Sequence, residues 1–231
     1  MNDVPKGPLK RGWTTGACAA AGTRAAFTAL LDGEFPDPVT ITLPGGQSPS
    51  FPLARHRFDG DTAEVSIVKD AGDDPDVTHG AQVVVRARLD QAGLGISFKG
   101  GEGVGTVTRE GLVLDIGEPA INPGPRRMIK AEIEDVASVH GVSDDVEIEI
   151  SIPGGEELAL RTLNGRLGIV GGLSVLGTSG VVIPFSCSAW IHSIHRSIDV
   201  ARAAGILHAA ASTGSTSERA VQSMFDMPEE A

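Results

Sequence analysis

From Thr15 to Asp32 the chain places Ala17, Ala19, Ala20, Ala21, Ala25, Ala26 and Ala29 beside Gly16 and Gly22, with few bulky side chains among them. Alanine is the strongest helix former. Thr14 or Thr15 can cap the orphan amides of the first turn, and Gly33 can take the left-handed stop position. The segment is therefore predicted to be a helix. A helix this small on every side cannot fill a core with its own volume, so another surface has to approach its backbone closely. Two such surfaces fit: a tightly packed sheet or a flat ligand.

The sheet signals follow. Residues 39–43 (VTITL) alternate at period two and run into a turn at Pro44-Gly45-Gly46. Residues 63–68, 81–89 and 94–98 read as further strands, and 146–152 as another, closed by Pro153-Gly154-Gly155. The glycine-rich stretch 100–117 reads as hairpins. Asn122-Pro123 opens a helix that reaches about Val136, because Asn caps well and Pro suits the first helical position.

Residues 167–183 are almost uncharged and glycine-rich. An amphipathic helix over 188–204 then sets Ile191, Ile194, Ile198 and Ala201 against His192, His195, Arg196, Asp199 and Arg202, with Gly205 as its stop. A buried strand over 206–211, a turn at Thr213-Gly214-Ser215-Thr216 and a helix over 217–227 complete a β-loop-α unit. A parallel strand needs neighbours and covering helices, which this sequence does not go on to supply. The expectation is an α+β domain over 10–185 and an incomplete, truncated parallel α/β domain over 186–231.

Composition narrows the function. Nineteen basic residues against thirty acidic ones give a net charge of −11, and aromatics are 4% with no Tyr. Neither a basic stripe nor a set of stacking platforms is available, which argues against nucleic acid and anionic membrane as partners. No apolar run reaches the roughly 18 residues of a membrane span. The first ten residues lack the apolar core of a signal peptide. Cys18 and Cys187 read as separate thiols in a reducing compartment. The expected location is cytoplasmic.

Several constellations could carry chemistry. The loop 69–80 holds Lys69, Asp70, Asp73, Asp74, Asp76 and His79. It reads as a structural turn with Asp side chains capping amides, as a ligand site, or, least well, as a metal site, since its spacing is not that of a calcium loop. The run 100–106 is rich in glycine, but strand-like residues follow it, so it lacks the helix that makes such loops bind phosphate. His192, His195 and Asp199 share a helix face with Arg196 and Arg202, which would repel a cation. Cys187 has no neighbouring base and reads as a small packed residue. The glycines of 168–180 suit a backbone pressed against a ligand or a second domain.

Read together, six segments resemble the CbiD family, the cobalt-precorrin-5B (C1)-methyltransferases. They are Thr14-Thr15-Gly16-Ala17-Cys18-Ala19, 68–80 (VKDAGDDPDVTHG), 103–108 (GVGTVT), 117–123 (GEPAINP), 152–157 (IPGGEE) and 166–180 (RLGIVGGLSVLGTSG). They stand in the family's order across most of the chain. Gly165 stands where the family often has Pro, and Gly124 where a larger residue is usual. Family members also continue beyond a turn like Thr213-Gly214 into further β/α units.

The resemblance implies an N-terminal domain like the second domain of ribosomal protein S5, with a mixed sheet and packed helices, followed by the α/β domain. It also implies transfer of the sulfonium methyl of S-adenosylmethionine to carbon 1 of a tetrapyrrole whose cobalt belongs to the substrate, so no protein metal site is expected. On that reading Asp70, Asp73, Asp74 and His79 line the cleft, while Lys69, Arg126, Arg127, Lys130 and Arg166 meet the substrate's carboxylates. Gly171, Gly172, Gly177, Thr178, Thr213 and Gly214 meet the cofactor. A homo-oligomer or contacts with other pathway enzymes are compatible with it. Two other classes stay open: a small-molecule phosphotransferase, and a non-catalytic fragment that binds tetrapyrrole or a partner.

Overall fold

The computed structural model describes residues 7–225. Its centre is a five-stranded mixed sheet in the order β4-β5-β6-β9-β7, made of β4 (Arg55–Phe58), β5 (Thr62–Val68), β6 (Gln82–Leu89), β9 (Val146–Ser151) and β7 (Ile96–Gly100). All neighbours are antiparallel except β7 and β9. That parallel pair needs a crossover, and α2 (Pro123–His140) lies within it.

The helix α1 (Thr15–Asp32) forms from cap to cap as the sequence predicts. Thr14 Oγ1 accepts from Ala17 N–H at 3.1 Å, and Gly33 takes the left-handed stop. It is buried on almost every side, between the sheet and α2. A Cβ added at Gly22 would lie 2.8 Å from Val85 Cγ2, and one at Gly16 would lie 2.7 Å from Pro125. The close surface demanded by the alanines is thus protein, not a flat ligand. Val65, Ile67, Val83, Val85, Ile148 and Ile150 fill the sheet side of this core; Phe27, Ile129 and Ile133 fill the helix side. Arg24 on α1 ties to Glu132 at 2.7 Å and Asp135 at 2.8 Å on α2, and the buried Glu132 also accepts from Thr42 N–H.

The opposite face of the sheet is polar. Arg86 joins Glu64 and Glu149 across three strands, and Glu147 joins Arg88 and Lys99. Period-two alternation made β5, β6 and β9 readable, since one face is dry and the other wet.

Other expectations are corrected. In 39–43 only β2 (Val39–Thr40) pairs regularly, with β3 (Ser50–Phe51); Ile41 and Leu43 stay buried but bond loop carbonyls of Pro49 and Gln47. The strand expected over 94–98 begins two residues later. The edge strand β4 and the short helix α3 (Gly155–Ala159) were not anticipated.

Residues 100–117 turn back once, with Thr106 bridging Pro119 antiparallel and Val107 bonded to Gly117 and Glu118, but do not form the several regular hairpins expected. β8 (Thr106–Val107) pairs with the distant β10 (Ile169–Val170), because glycine lets Gly103 touch Gly155 and Gly172. α2 runs past Val136 to His140, where Gly141 stops it.

The last segment departs most. α4 (Cys187–Ala203) forms, yet Trp190, Ile191, Ile194 and Ile198 are exposed and only Val200 is buried. Residues 206–211 are not a buried strand: they join no sheet among the described residues, and Leu207 is 90% exposed. α5 (Ser215–Phe225) buries none of its described residues. The last two positions of the helix expected over 217–227 lie outside the described residues. The structure is therefore mixed α+β; helices are present after residue 185, but no strand follows β11 (Val181–Val182) among the described residues.

Candidate functional site

The short strand β1 (Gly12–Trp13) joins the two segments expected at the site. On one side it pairs with β11 (Val181–Val182), at the end of the glycine-dense run. On the other it lies against the Asp-rich loop: Trp13 N–H donates to Asp70 O at 2.7 Å, and Gly12 is so close to Ala71 that a side chain would collide with its backbone. Gly72, at φ +66°, packs in the same way on Lys10 and Arg11.

Most carboxylates of that loop already have partners. Asp70 accepts from Lys10 Nζ at 2.6 Å and from Gly72 N–H at 2.9 Å, and these bonds hold its carboxyl below the usual carboxylate range. Asp73 accepts from Lys10 N–H at 2.5 Å. Asp74 accepts from Phe185 N–H at 2.9 Å, and Phe185 is the one non-glycine residue with positive φ among the described residues (55°). Burial pushes the Asp76 carboxyl up, but the Lys69 ammonium at 2.5 Å and the Thr78 bonds outweigh it and leave it lowered. His79 Nδ1 accepts from Ala71 N–H at 3.1 Å, which assigns the proton of the neutral ring to Nε2. His79 is half exposed, so its Nε2 is the group of this loop best placed to act as an outward donor.

Lys69 is corrected. Its side chain is 2% exposed and bonded to Asp76, so it orders the loop and does not face a ligand. The basic residues also separate. Arg126 donates to Ile121 O and Glu118 and stacks over Phe98, with 5.3 Å from its Cζ to the ring centroid. Arg127 and Lys130 are exposed along α2. Arg166 lies elsewhere, paired with Glu218 at 2.5 Å.

Arg166, Gly171 and Gly172 meet in a cleft of about 860 Å³, whose walls also include Glu156, Leu160, Arg161, Thr162, Val170 and Glu218. Through Glu218 the first turn of α5 reaches the rim. Thr213 and Gly214 precede that turn, where Thr213 N–H donates to Ser217 Oγ and Ser217 Oγ donates to Gly214 O. Asp70, Asp73, Asp74, His79, Gly177 and Thr178 do not line the cleft. Gly177 instead packs on Thr14 at the start of α1, and Gly124 at the start of α2 meets Gly177 O and Thr178.

One backbone links the two regions. From the cleft, the run pairs Leu173 with Val104 and Val175 with Ile121, gives Leu176 O to Gly16 N–H, and reaches β11 beside the Asp-rich loop. The five steps along the chain from Gly172 to Gly177 span at most about 17 Å.

Sequence reasoning missed Leu160 and Arg161. The available signal was an exposed leucine beside an arginine in a loop, which carries no periodicity. Among the described residues, no group of three or more His, Cys, Asp and Glu side chains could hold a metal. His192 and His195 stand on the exposed face of α4, and Arg196 pairs with Asp199 there.

The family model for CbiD matches residues 2–184. A cobalt-precorrin-5B C(1)-methyltransferase of Bradyrhizobium sp. (strain BTAi1) is 60% identical over 224 residues, which are 97% of this chain and 60% of that protein. The protein of the same name from Paramagnetospirillum magneticum is 59% identical, over 96% of this chain and 62% of its own length. The chain thus spans about three-fifths of the length of these curated relatives. Among solved structures, the cobalamin biosynthesis protein (cbiD) of Archaeoglobus fulgidus superposes with a TM-score of 0.59 at 27% identity, over 96% of this chain and 69% of the other. The chain belongs to the CbiD family.

Proposed function

We propose that this chain carries the α+β portion of an S-adenosylmethionine-dependent methyltransferase that methylates carbon 1 of cobalt-precorrin-5B, giving cobalt-precorrin-6A in cobalamin synthesis. The observation that carries the reading is the 60% identity, across nearly all of this chain, to proteins of that name. The cobalt enters as part of the substrate.

S-adenosylmethionine supplies an electrophilic methyl group whose bond to sulfur breaks, with its electron pair, as the ring carbon attacks. The protein's part is then alignment and exclusion of water more than proton transfer. The cleft fits such a role. Its volume lies within the range of small-molecule sites. Gly171, at φ +82° with nothing near the place of its missing Cβ, leaves room for a ligand against its backbone.

Gly171, Gly172, Thr213 and Gly214 are assigned to the cofactor, with Gly177 and Thr178 at the other end of the glycine run. Arg166, with Arg127 and Lys130, is assigned to substrate carboxylates. Arg126, held by Glu118 and Phe98, is assigned the lesser share. His79, Asp70, Asp73 and Asp74 are assigned to the second rim, where His79 donates to the substrate and the carboxylates hold β1 and the start of α4 in place. The division at residues 185 and 186, a cytoplasmic location, and homo-oligomers or pathway enzymes as partners belong to the same proposal. No observation favours the phosphotransferase or the purely non-catalytic alternative.

Calorimetric titration with S-adenosylmethionine and with ATP, followed by mass spectrometry after incubation with cobalt-precorrin-5B, tests the reading. Cofactor binding and a one-methyl gain support it. Binding of ATP alone, or tetrapyrrole binding without methyl transfer by this chain or by a full-length relative, refutes it.

A further inference from the structure

The walls of the 860 Å³ cleft combine two features that ordinary surfaces keep apart. Leu160 is 87% exposed and Val170 58% exposed, and Leu163 adds a third partly uncovered apolar side chain, all within one concave surface. Scattered exposed apolar residues need no explanation, but several lining one cleft mark a surface that a ligand covers. Two guanidinium groups share the cleft. Arg166 is already paired with Glu218. The Arg161 side chain has no hydrogen-bond or ion-pair partner among the described residues, while its backbone N–H is fixed to Leu158 O at 3.1 Å.

An apolar wall beside an unpaired guanidinium selects a ligand with an extended apolar body and carboxylates at its edge. A compact phosphate would gain from Arg161 but leave the leucines wet, and a neutral apolar ligand would leave Arg161 unused. Glu156 and Glu218 make the cleft a poor sink for simple anions, which favours ligands that bring apolar area as well as charge. We infer that Arg161 is a substrate-binding residue that pairs with a peripheral carboxylate of a flat macrocycle whose face lies on Leu160, Leu163 and Val170. This deepens the proposed function by assigning the macrocycle to this cleft, and it rests on that reading for the identity of the ring.

Fluorescence titration of the whole chain with uroporphyrin, a planar tetrapyrrole with carboxylate arms, tests the assignment against an analogue of the same ring with amide arms. Arg161→Ala should weaken uroporphyrin binding about tenfold or more, as expected for a hydrogen bond to a charged group. Arg161→Lys should recover part of that loss, and the amide analogue should not distinguish the three proteins. Leu160→Asp should weaken both ligands. Since neither side chain supports the core, circular dichroism and the unfolding midpoint should stay at wild-type values.

Unchanged affinity in Arg161→Ala and Leu160→Asp would place the ring elsewhere and overturn the inference while leaving the methyltransferase reading intact. Absence of uroporphyrin binding by the wild-type chain would also overturn it. Loss of ring binding in both variants, with no methyl transfer to cobalt-precorrin-5B by a full-length relative, would uphold the cleft and reject the reaction.

Discussion

Replacing Gly22 by alanine sets two effects of known size against each other. In an isolated helix the change stabilises by about 0.8–1 kcal/mol, because glycine has the larger backbone entropy to lose. Here the new methyl would stand 2.8 Å from Val85 Cγ2 and 3.2 Å from Val85 Cβ. Val85 is fully buried on the central strand β6, and its branched side chain has little rotamer freedom with which to retreat. Overpacking of this kind costs about 1–3 kcal/mol. The clash therefore wins, and G22A should be destabilised by about 1 kcal/mol, lowering Tm by roughly 2–4 °C for a chain of this length.

V85A alone should cost about 2 kcal/mol from lost burial and the cavity left behind. In the double variant the alanine at 22 enters that cavity, so the two effects should fall short of additivity by about 1 kcal/mol. Denaturant unfolding of all four proteins measures the cycle. A G22A protein more stable than wild type, or strict additivity with V85A, would refute the close contact of α1 with β6.

The Lys69–Asp76 pair should behave as a buried one. Lys69→Ala, which strands Asp76, should cost about 2–3 kcal/mol in denaturant unfolding, and combining Lys69→Met with Asp76→Asn should recover most of it. The pH dependence should have two limbs. Asp70, Asp76 and Asp145 have lowered carboxyl pKa values, the last through the Gly93 and Gly95 amides, so their stabilisation is complete above about pH 4 and is lost as pH falls through their folded values. His140 is raised by its bonds to Val136 O and Asp32, so its contribution is complete below about pH 6.5 and is lost as pH rises through its folded value. Thermal unfolding between pH 2 and 9 checks both limbs, with Asp76→Asn flattening the acid one and His140→Gln the alkaline one. Asp74→Ala removes the acceptor of Phe185 N–H, and hydrogen exchange at that amide should speed by up to about tenfold with β5 unchanged.

What was legible in the sequence is what depends on local pattern. Thr14 and Gly33 mark the ends of α1 because caps act within one turn. β5, β6 and β9 show in the alternation of apolar residues because the sheet has one dry face. β4, read as Arg-His-Arg-Phe, carries no alternation because it is an exposed edge. The stretch 100–117 was legible only in its local turn back from Val107 to Gly117; its regular strand partner lies some sixty residues away, and glycines that look like turn formers serve there as contact points between backbones.

The site shows the same division. Arg166, Gly171 and Gly172 were singled out from one motif and do share a cleft, since they are near in sequence. Lys69 was misjudged because its burial depends on Asp76 and on the packing of α1 beside it. The basic residues of α2 and Arg166 were grouped by charge alone, which says nothing of which surface each occupies.

Alanine has no rotamers to lose, whereas each buried leucine or isoleucine gives up about 0.5–1 kcal/mol of side-chain freedom when it is fixed. The element in the middle of this domain is thus also among the least expensive to order. Its hydrogen bonds close over four residues, while β6 must wait for β9, whose partners stand some sixty positions along the chain. Contacts of short sequence separation form sooner than distant ones, so α1 is suited to be a preformed rod onto which the later-arriving strands condense.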